Sequence, residues 1–319
     1  MKISEKLIIK KYLKPLTFKN KDSLNLEDDV FFDSKKKIIL STDSYQENIH
    51  FLKKMKPKEF MSKIFRATIS DIICKGATPK VYFLSLFLTN INSKWIKNFK
   101  LSLLKESNKY NLFLGGGDIV KSRYLGITIS VIGDVLNKPI LRSTANIDDD
   151  IYTTGNLGNS FLGLQIYKKR INLGKFNAYY KKLYIKPDLP IKFSKHLKKF
   201  ATSSTDISDG IINDLKNICD ASKCGGLISL DAIPFSKNTI INLKKRKISK
   251  LNIFSRGDDY QILFTANKKS RKMIKKLSKL TSTKVTRIGK ITSKKLLKLT
   301  HKGRVINLPL NKSGYIHNF

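Results

Sequence analysis

Apolar and polar positions along this chain fall into short blocks with two different periods. Ile38, Ile39 and Leu40 open a buried strand that passes into a polar loop within "KIILSTDSYQENIHF" (37–51). Over 57–76, Phe60, Ile64, Ala67 and Ile72 recur at helical spacing; Pro57 sits near the start and Gly76 suits the end. "VYFLSLFLT" (81–89) has the length of a buried strand. Residues 93–109 form an amphipathic helix with a Trp95, Ile96, Phe99, Leu103, Leu104 stripe, which assigns Trp95 to the core. Strands are predicted over 111–118 and 125–135, and a helix or arm over 1–20. The turn-rich stretch "NKPILRSTANIDDD" (137–150) is the strongest boundary signal. Beyond it come a strand at 150–155, a helix at 158–169, a Lys- and Tyr-rich segment, and a helix at 209–221 with Ile211, Ile212, Leu215, Ile218 and Cys219 on one face. Strands at 226–233, 260–266 and 285–291 and a helix at 269–280 complete the pattern. Each half mixes strands and helices, so the expectation is two α/β (α+β) domains, 1–140 and 141–319.

Composition narrows the function classes. Hydrophobic residues make up 41% of the 319, with 18 Phe, enough for a folded core. No apolar run approaches the ~20 residues of a membrane span, and the N-terminus lacks a signal-peptide pattern, so a cytoplasmic location is expected. Cys74, Cys219 and Cys224 have no metal or redox spacing and read as buried thiols. The formal net charge of +39, from 63 Lys+Arg against 24 Asp+Glu, raises nucleic-acid binding as an alternative. Only nine of the basic residues are Arg, the side chain that dominates specific base contacts, and the lysines are spread along the chain. That pattern weighs against nucleic-acid binding as the main function, which stays the less favoured alternative, while a basic surface still attracts polyanions nonspecifically.

Against this basic background the carboxylates are informative. Asp28 and Asp29, Asp43, Asp71, Asp118, Asp206 and Asp209, and Asp258 and Asp259 each lie beside Gly, Ser or Thr or in a predicted loop, mostly at strand ends or helix starts. A lone aspartate before a helix is an ordinary N-cap, a role open to Asp209. Asp148, Asp149 and Asp150 read as a solvated turn, and Asp214 as a solvated surface residue. Several loop carboxylates without His or Cys partners suit a hard cation, and Mg²⁺ commonly bridges such groups to nucleotide phosphates. "GGGD" (115–118) adds a Gly-rich turn, while P-loop and protein-kinase motifs are missing from the sequence.

Eight segments in order resemble the thiamine-monophosphate kinases, of the aminoimidazole ribonucleotide synthetase-like superfamily: "EDDVFF", "STDSYQENIHF", "SDIICKGATP", "GGGD", "TTGNLGNSFLG", "DISDGI", "RGDDYQILF" and "GYIHNF". The resemblance implies a two-domain fold whose N-terminal sheet domain also serves a homodimer. It implies ATP-dependent phosphorylation of thiamine monophosphate to thiamine diphosphate by direct transfer, assisted by several Mg²⁺ ions. Carried over by motif, Asp28, Ser41, Thr42, Asp43, Asp71, Asp118, Asp206 and Asp209 hold Mg²⁺, with Asp43 and Asp209 central to catalysis. Tyr110, Gly117, Asp118, Arg142 and Ser208 contact ATP; His50, Asp258 and Tyr315 contact the thiamine phosphate. The chain departs from the family pattern at Glu27 and Arg256, where the family has Gly, at Ile119 in place of Thr, and at Asp258 in place of Glu. Aminoimidazole ribonucleotide and selenophosphate synthetases of the same superfamily remain alternatives, although the reactive N-terminal Cys or C-terminal Cys of the superfamily's selenophosphate and hydrogenase-maturation branches has no counterpart here.

Overall fold

A computed structural model describes residues 4–246 and 249–306. Tyr315 lies outside the described residues. The chain opens with α1 (Glu5–Ile8), continued by irregular helical turns to Thr17. The first sheet then forms from β1 (Phe31–Asp33), β2 (Ile38–Gln46), β3 (Thr78–Leu88), β4 (Phe113–Lys121) and β5 (Gly126–Asp134). Its order is β1-β2-β5-β3-β4, antiparallel except for the parallel β3–β4 pair. Helix α2 (Pro57–Cys74) precedes β3, and α3 (Ser93–Tyr110) makes the crossover to β4.

One sheet face is apolar and holds Ile39, Leu84, Ile129 and Val131 against α2. The other carries Thr42, Ser44, Thr128 and Ser130, whose hydroxyls pair across β2 and β5. This is the period-two alternation of a one-sided sheet. Helix α2 is buried on nearly every side because it lies between both domains. Pro57 occupies its first turn, Glu59 accepts the Lys56 backbone N–H at 2.9 Å, and Gly76, at φ +69°, turns the chain out of it.

The second sheet contains β6 (Asp150–Thr154), β7 (Ala201–Asp206), β8 (Gly225–Ser229), β9 (Ile262–Ala266), β10 (Val285–Thr292), β11 (Leu297–His301) and β12 (Arg304–Ile306), ordered β12-β11-β8-β10-β6-β9-β7. Helices α4 (Asn159–Tyr167), α5 (Asn177–Ile185), α6 (Ile191–Ser194), α7 (Ile211–Ala221), α8 (Lys237–Arg246), α9 (Lys250–Phe254) and α10 (Arg271–Leu280) surround it. Edge strand β7 faces the first domain. Ser70 Oγ donates to Asp206 Oδ2 at 2.6 Å, and the Ser204 hydroxyl donates to the Cys74 carbonyl at 2.5 Å.

Several expectations are corrected. The helix expected from 209 begins at Ile211, because Gly210 takes φ +114° and breaks the turn before it. The Lys- and Tyr-rich segment contains α5, whose core residues are Tyr180 and Tyr184 rather than aliphatics. Strand β7, "ATSSTD", carries no apolar alternation; instead its Ser204 hydroxyl donates to the Cys74 carbonyl of α2 and its Thr205 hydroxyl accepts from the Arg142 guanidinium. Asp149 and Asp150 are buried, not solvated: Asp149 accepts from the Thr202 hydroxyl at 2.6 Å, and Asp150 is held by Arg271 and Arg287. Trp95 stacks between Phe60 and Phe99 as core, and all three thiols are buried and free.

Candidate active site

Two adjoining cavities open between the domains, of about 610 and about 740 Å³. Asp43, Asp71, Ser208 and Asp209 line both, forming a common wall. The larger cavity is further bounded by Asp28, Asp29, Ser41, Thr42 and Arg142, the smaller by His50, Lys63, Asp206 and Asp258. The N-terminal arm roofs both through Glu5, and is tied down by Lys6 to Asn217 and Lys14 to Glu27.

Strand alternation sets the acidic wall. In β2, Ser41 and Asp43 point to the helix side, where the Ser41 hydroxyl donates to Asp71 Oδ2 at 2.6 Å. The Asp43 carboxylate accepts from the Tyr45 hydroxyl at 2.8 Å. Thr42 points the other way, onto Ser130, so only its backbone is available to the cavity. Asp71 arrives from the last turns of α2. Asp206 ends β7 and accepts from the hydroxyls of Ser70 and, at 3.2 Å, Ser208.

The carboxylate oxygens of Asp29, Asp71 and Asp206 lie within 4.8 Å of one another. Burial, reinforced by the neighbouring carboxylates, raises the Asp71 carboxyl well above the usual range. Burial likewise lifts Asp206, to about 7, and raises Asp43. Like charges crowded out of water resist ionisation, and a divalent cation relieves that resistance. An all-oxygen donor set at this spacing fits a hard cation such as Mg²⁺.

Asp28 and Asp29 are held differently. Lys75 Nζ contacts Asp28 Oδ1 at 2.7 Å and Asp29 Oδ2 at 2.5 Å, and the Arg142 guanidinium also binds Asp29. Burial opposes ionisation of Asp29, but Arg142 and Lys75 outweigh it and hold its pKa below the ordinary carboxylate value.

In the smaller cavity, His50 Nδ1 accepts the Gln46 backbone N–H at 3.0 Å, which leaves the proton on Nε2 in the neutral ring. Asp258, in the left-handed region at φ +69°, receives Lys63 Nζ at 2.9 Å and the Tyr260 hydroxyl at 2.8 Å. Lys63 itself is buried above the Tyr184 ring, at 4.2 Å. Desolvation disfavours its charge, yet Asp258 and Tyr184 turn the balance and raise its pKa.

The structure separates some of the expected residues from these cavities. Gly117 and Asp118 lie in β4, exposed throughout, and Asp118 accepts the Ile119 backbone N–H. Gly117 is required there, because a Cβ would stand 1.9 Å from the Leu84 carbonyl oxygen of β3. Tyr110 closes α3 beside Arg66 and Lys109, with its hydroxyl buried. Within one chain none of these three lines either cavity. One other reading is corrected: Asp214 is buried, and its carboxylate accepts the Gly210 N–H at 3.0 Å at the start of α7. Burial and the nearby Asp209 and Asp206 raise its pKa strongly.

Lys63, Lys75 and Tyr45 escaped the sequence reading of the site, and Asp29, marked there among the loop carboxylates, was given no ligand role of its own. Lys63 had a visible signal: it falls on the Phe60, Ile64, Ala67 stripe of α2, where a solvated lysine has no place.

Residues 26–135 match the AIR synthase related protein N-terminal domain, and residues 153–302 match its C-terminal domain. The thiamine-monophosphate kinase of Buchnera aphidicola subsp. Acyrthosiphon pisum is 37% identical over 302 residues, covering 92% of each chain. The chain belongs to the thiamine-monophosphate kinase family. Another thiamine-monophosphate kinase, from Haemophilus influenzae, is 34% identical over 81% of this chain and 78% of its own. Among solved structures, AaThiL complexed with AMPPCP and TMP superposes with a TM-score of 0.84 at 25% identity, over 98% of this chain and 97% of that one. The two-domain α/β architecture is therefore that of the thiamine-monophosphate kinases, and among the described residues no helix is long and apolar enough to cross a membrane.

Proposed function

We propose that this chain phosphorylates thiamine monophosphate to thiamine diphosphate with ATP and several Mg²⁺ ions. The observation that carries the reading is the wall of Asp43, Asp71, Ser208 and Asp209 shared by two cavities. ATP occupies the larger cavity, with Arg142 and Ser208 toward its phosphates. Thiamine monophosphate occupies the smaller one, with His50 Nε2–H and Asp258 as polar anchors. The two reacting phosphates then meet along the acidic wall, where Mg²⁺ supplies charge neutralisation for the transferring group.

A phosphate monoester is already ionised near neutral pH, so this chain needs no strong general base. Its task is alignment and exclusion of water. Asp43 and Asp209 face both substrates, and Asp71 and Asp206 complete the donor set, with Ser41, Ser70 and Ser208 orienting them. Asp28 and the backbone of Thr42 border the nucleotide side. Lys63 fixes the Asp258 carboxylate at the smaller cavity through a 2.9 Å ion pair.

Tyr110, Gly117 and Asp118 enter the reading through a homodimer. Edge strand β4 exposes Phe113, Leu114, Ile119 and Val120, the kind of unpaired apolar strand that a second copy covers. Pairing of the N-terminal sheets would bring this strand to another copy's nucleotide cavity. The domain division at 140/141 and a cytoplasmic location belong to the same reading. Nucleic acid is attracted only nonspecifically.

The test is an ADP-release assay on the purified chain. ADP formation should require both Mg²⁺ and thiamine monophosphate. Folded protein that is inactive here but turns over aminoimidazole ribonucleotide precursors or selenide contradicts the assignment.

A further inference from the structure

Lys75 is fully buried at the end of α2, and all three of its ammonium donors are engaged: Asp28 Oδ1 at 2.7 Å, Asp29 Oδ2 at 2.5 Å and the Ser204 carbonyl at 2.7 Å. These contacts join the Asp28–Asp29 loop, helix α2 and strand β7 of the other domain. Asp28 also accepts the backbone N–H groups of Asp29 and Arg142, and Asp29 accepts from Thr205 and the Arg142 guanidinium. Two carboxylates thus face two fixed cations. The other half of the acidic cluster is built differently. Ser41 bonds Asp71, Tyr45 bonds Asp43, and Ser70 and Ser208 bond Asp206, all through neutral hydroxyls. Asp29 belongs to both halves, since it also lies against Asp71 and Asp206.

We propose that Lys75 is a built-in counter-cation that positions Asp28 and Asp29 and replaces part of the charge these carboxylates would otherwise draw from a divalent ion. The inference rests on the reading of the acidic wall as a Mg²⁺ site. Lys75 keeps the Asp28 side of the nucleotide cavity assembled in the absence of metal and directs the ions toward Asp43, Asp71 and Asp206. It acts through the carboxylates, as a positioning residue. Without it, two buried carboxylates share the single guanidinium of Arg142, and the residual charge recruits a further cation.

The experiment is a Mn²⁺ titration, read by electron paramagnetic resonance, of nucleotide-free wild type and Lys75→Met, with melting curves in chelator and in Mg²⁺. Lys75→Met should bind one more Mn²⁺, or bind it about tenfold more tightly, because a divalent charge replaces a monovalent one beside the same carboxylates. Its melting temperature should fall in chelator and recover in Mg²⁺ by more than wild type gains. Equal Mn²⁺ binding by both chains, with a melting loss that Mg²⁺ does not repair, overturns the role of Lys75 and leaves the metal site standing. Absence of Mn²⁺ binding by both chains overturns the metal reading and this inference together. If Lys75→Met does not fold in chelator, Lys75→Met/Asp28→Asn decides. Folding restored in chelator supports charge compensation, and continued failure to fold refutes it.

Discussion

Gly257 gives the sharpest test of how the two cavities are held together. It lies in the Arg256–Asp258 loop beside the Ser208–Asp209 turn, and the Asp258 N–H donates to the Ser208 carbonyl at 2.8 Å. A Cβ on Gly257 would stand 1.7 Å from that carbonyl oxygen and 2.6 Å from its carbon. Ordinary carbon–oxygen contacts are about 3.3 Å, so Gly257→Ala must open the gap by about 1.6 Å. Neither contacting group is a side-chain end that can rotate aside, so the backbone carries the shift. Ser208 and Asp209 belong to the wall common to both cavities, and Asp258 belongs to the thiamine side. A misplacement of about 1 Å at reacting groups costs about 100-fold in rate. The expected outcome for Gly257→Ala is therefore a fall in kcat/KM of about 100-fold, about 2.7 kcal/mol of transition-state stabilisation. Overpacking strain adds about 1–3 kcal/mol of destabilisation, a melting temperature lower by several degrees. The assay is steady-state ADP release with thiamine monophosphate varied at saturating ATP, beside thermal melting. A folded variant with kcat/KM within about threefold of wild type would refute the reasoning.

Other predictions address the wall, the lock between domains and the protonation of the cluster. Asp43→Asn and Asp209→Asn should each lower turnover by orders of magnitude while circular dichroism stays native; unchanged turnover with altered melting would assign them to structure alone. Arg66→Ala should destabilise the chain by about 3–5 kcal/mol, read as the urea midpoint. It strands buried Glu106, which now receives two Arg66 bonds of 2.8 and 3.2 Å, and it frees the Pro187 carbonyl. Stability without metal should fall as pH rises from about 4 to about 7, because folded Asp206, with its pKa raised to about 7, keeps a proton that the unfolded chain releases near the ordinary carboxylate value. Above that window the Asp206 contribution is constant. Saturating Mg²⁺ should weaken or reverse the slope, since it binds the ionised carboxylates. Melting in chelator that rises with pH over this range would contradict the sign.

Many of the regular elements with an aliphatic face were legible, although α8 and β11, which bury Leu243 and Leu299, were missed. Helix α2 showed its stripe, Pro57 and Gly76 in the chain itself, and β2, β3 and β5 showed their apolar residues. Strand β7 was not legible, because its buried residues are Ser and Thr, placed by distant partners such as Cys74 of α2, which lies 130 residues from Ser204. Helix α5 was hidden for a related reason: its core face is Tyr180 and Tyr184, indistinguishable in sequence from a surface of Tyr and Lys.

The carboxylates divide along the same line. Their residue types, loop positions and order along the chain were sequence properties, and they sufficed for the family and for the chemistry of an oxygen-ligated cation. Which of them share a charge environment was decided only by tertiary structure. Asp71 and Asp206 face hydroxyls and each other, whereas Asp28 and Asp29 are clasped by Lys75 and Arg142. Asp214, two turns of sequence from Asp206, is buried under its own helix start. Spacing along a chain reports local geometry, but the energy of a charge depends on desolvation and on counter-charges arriving from distant elements. Those are properties of the closed interface between two domains.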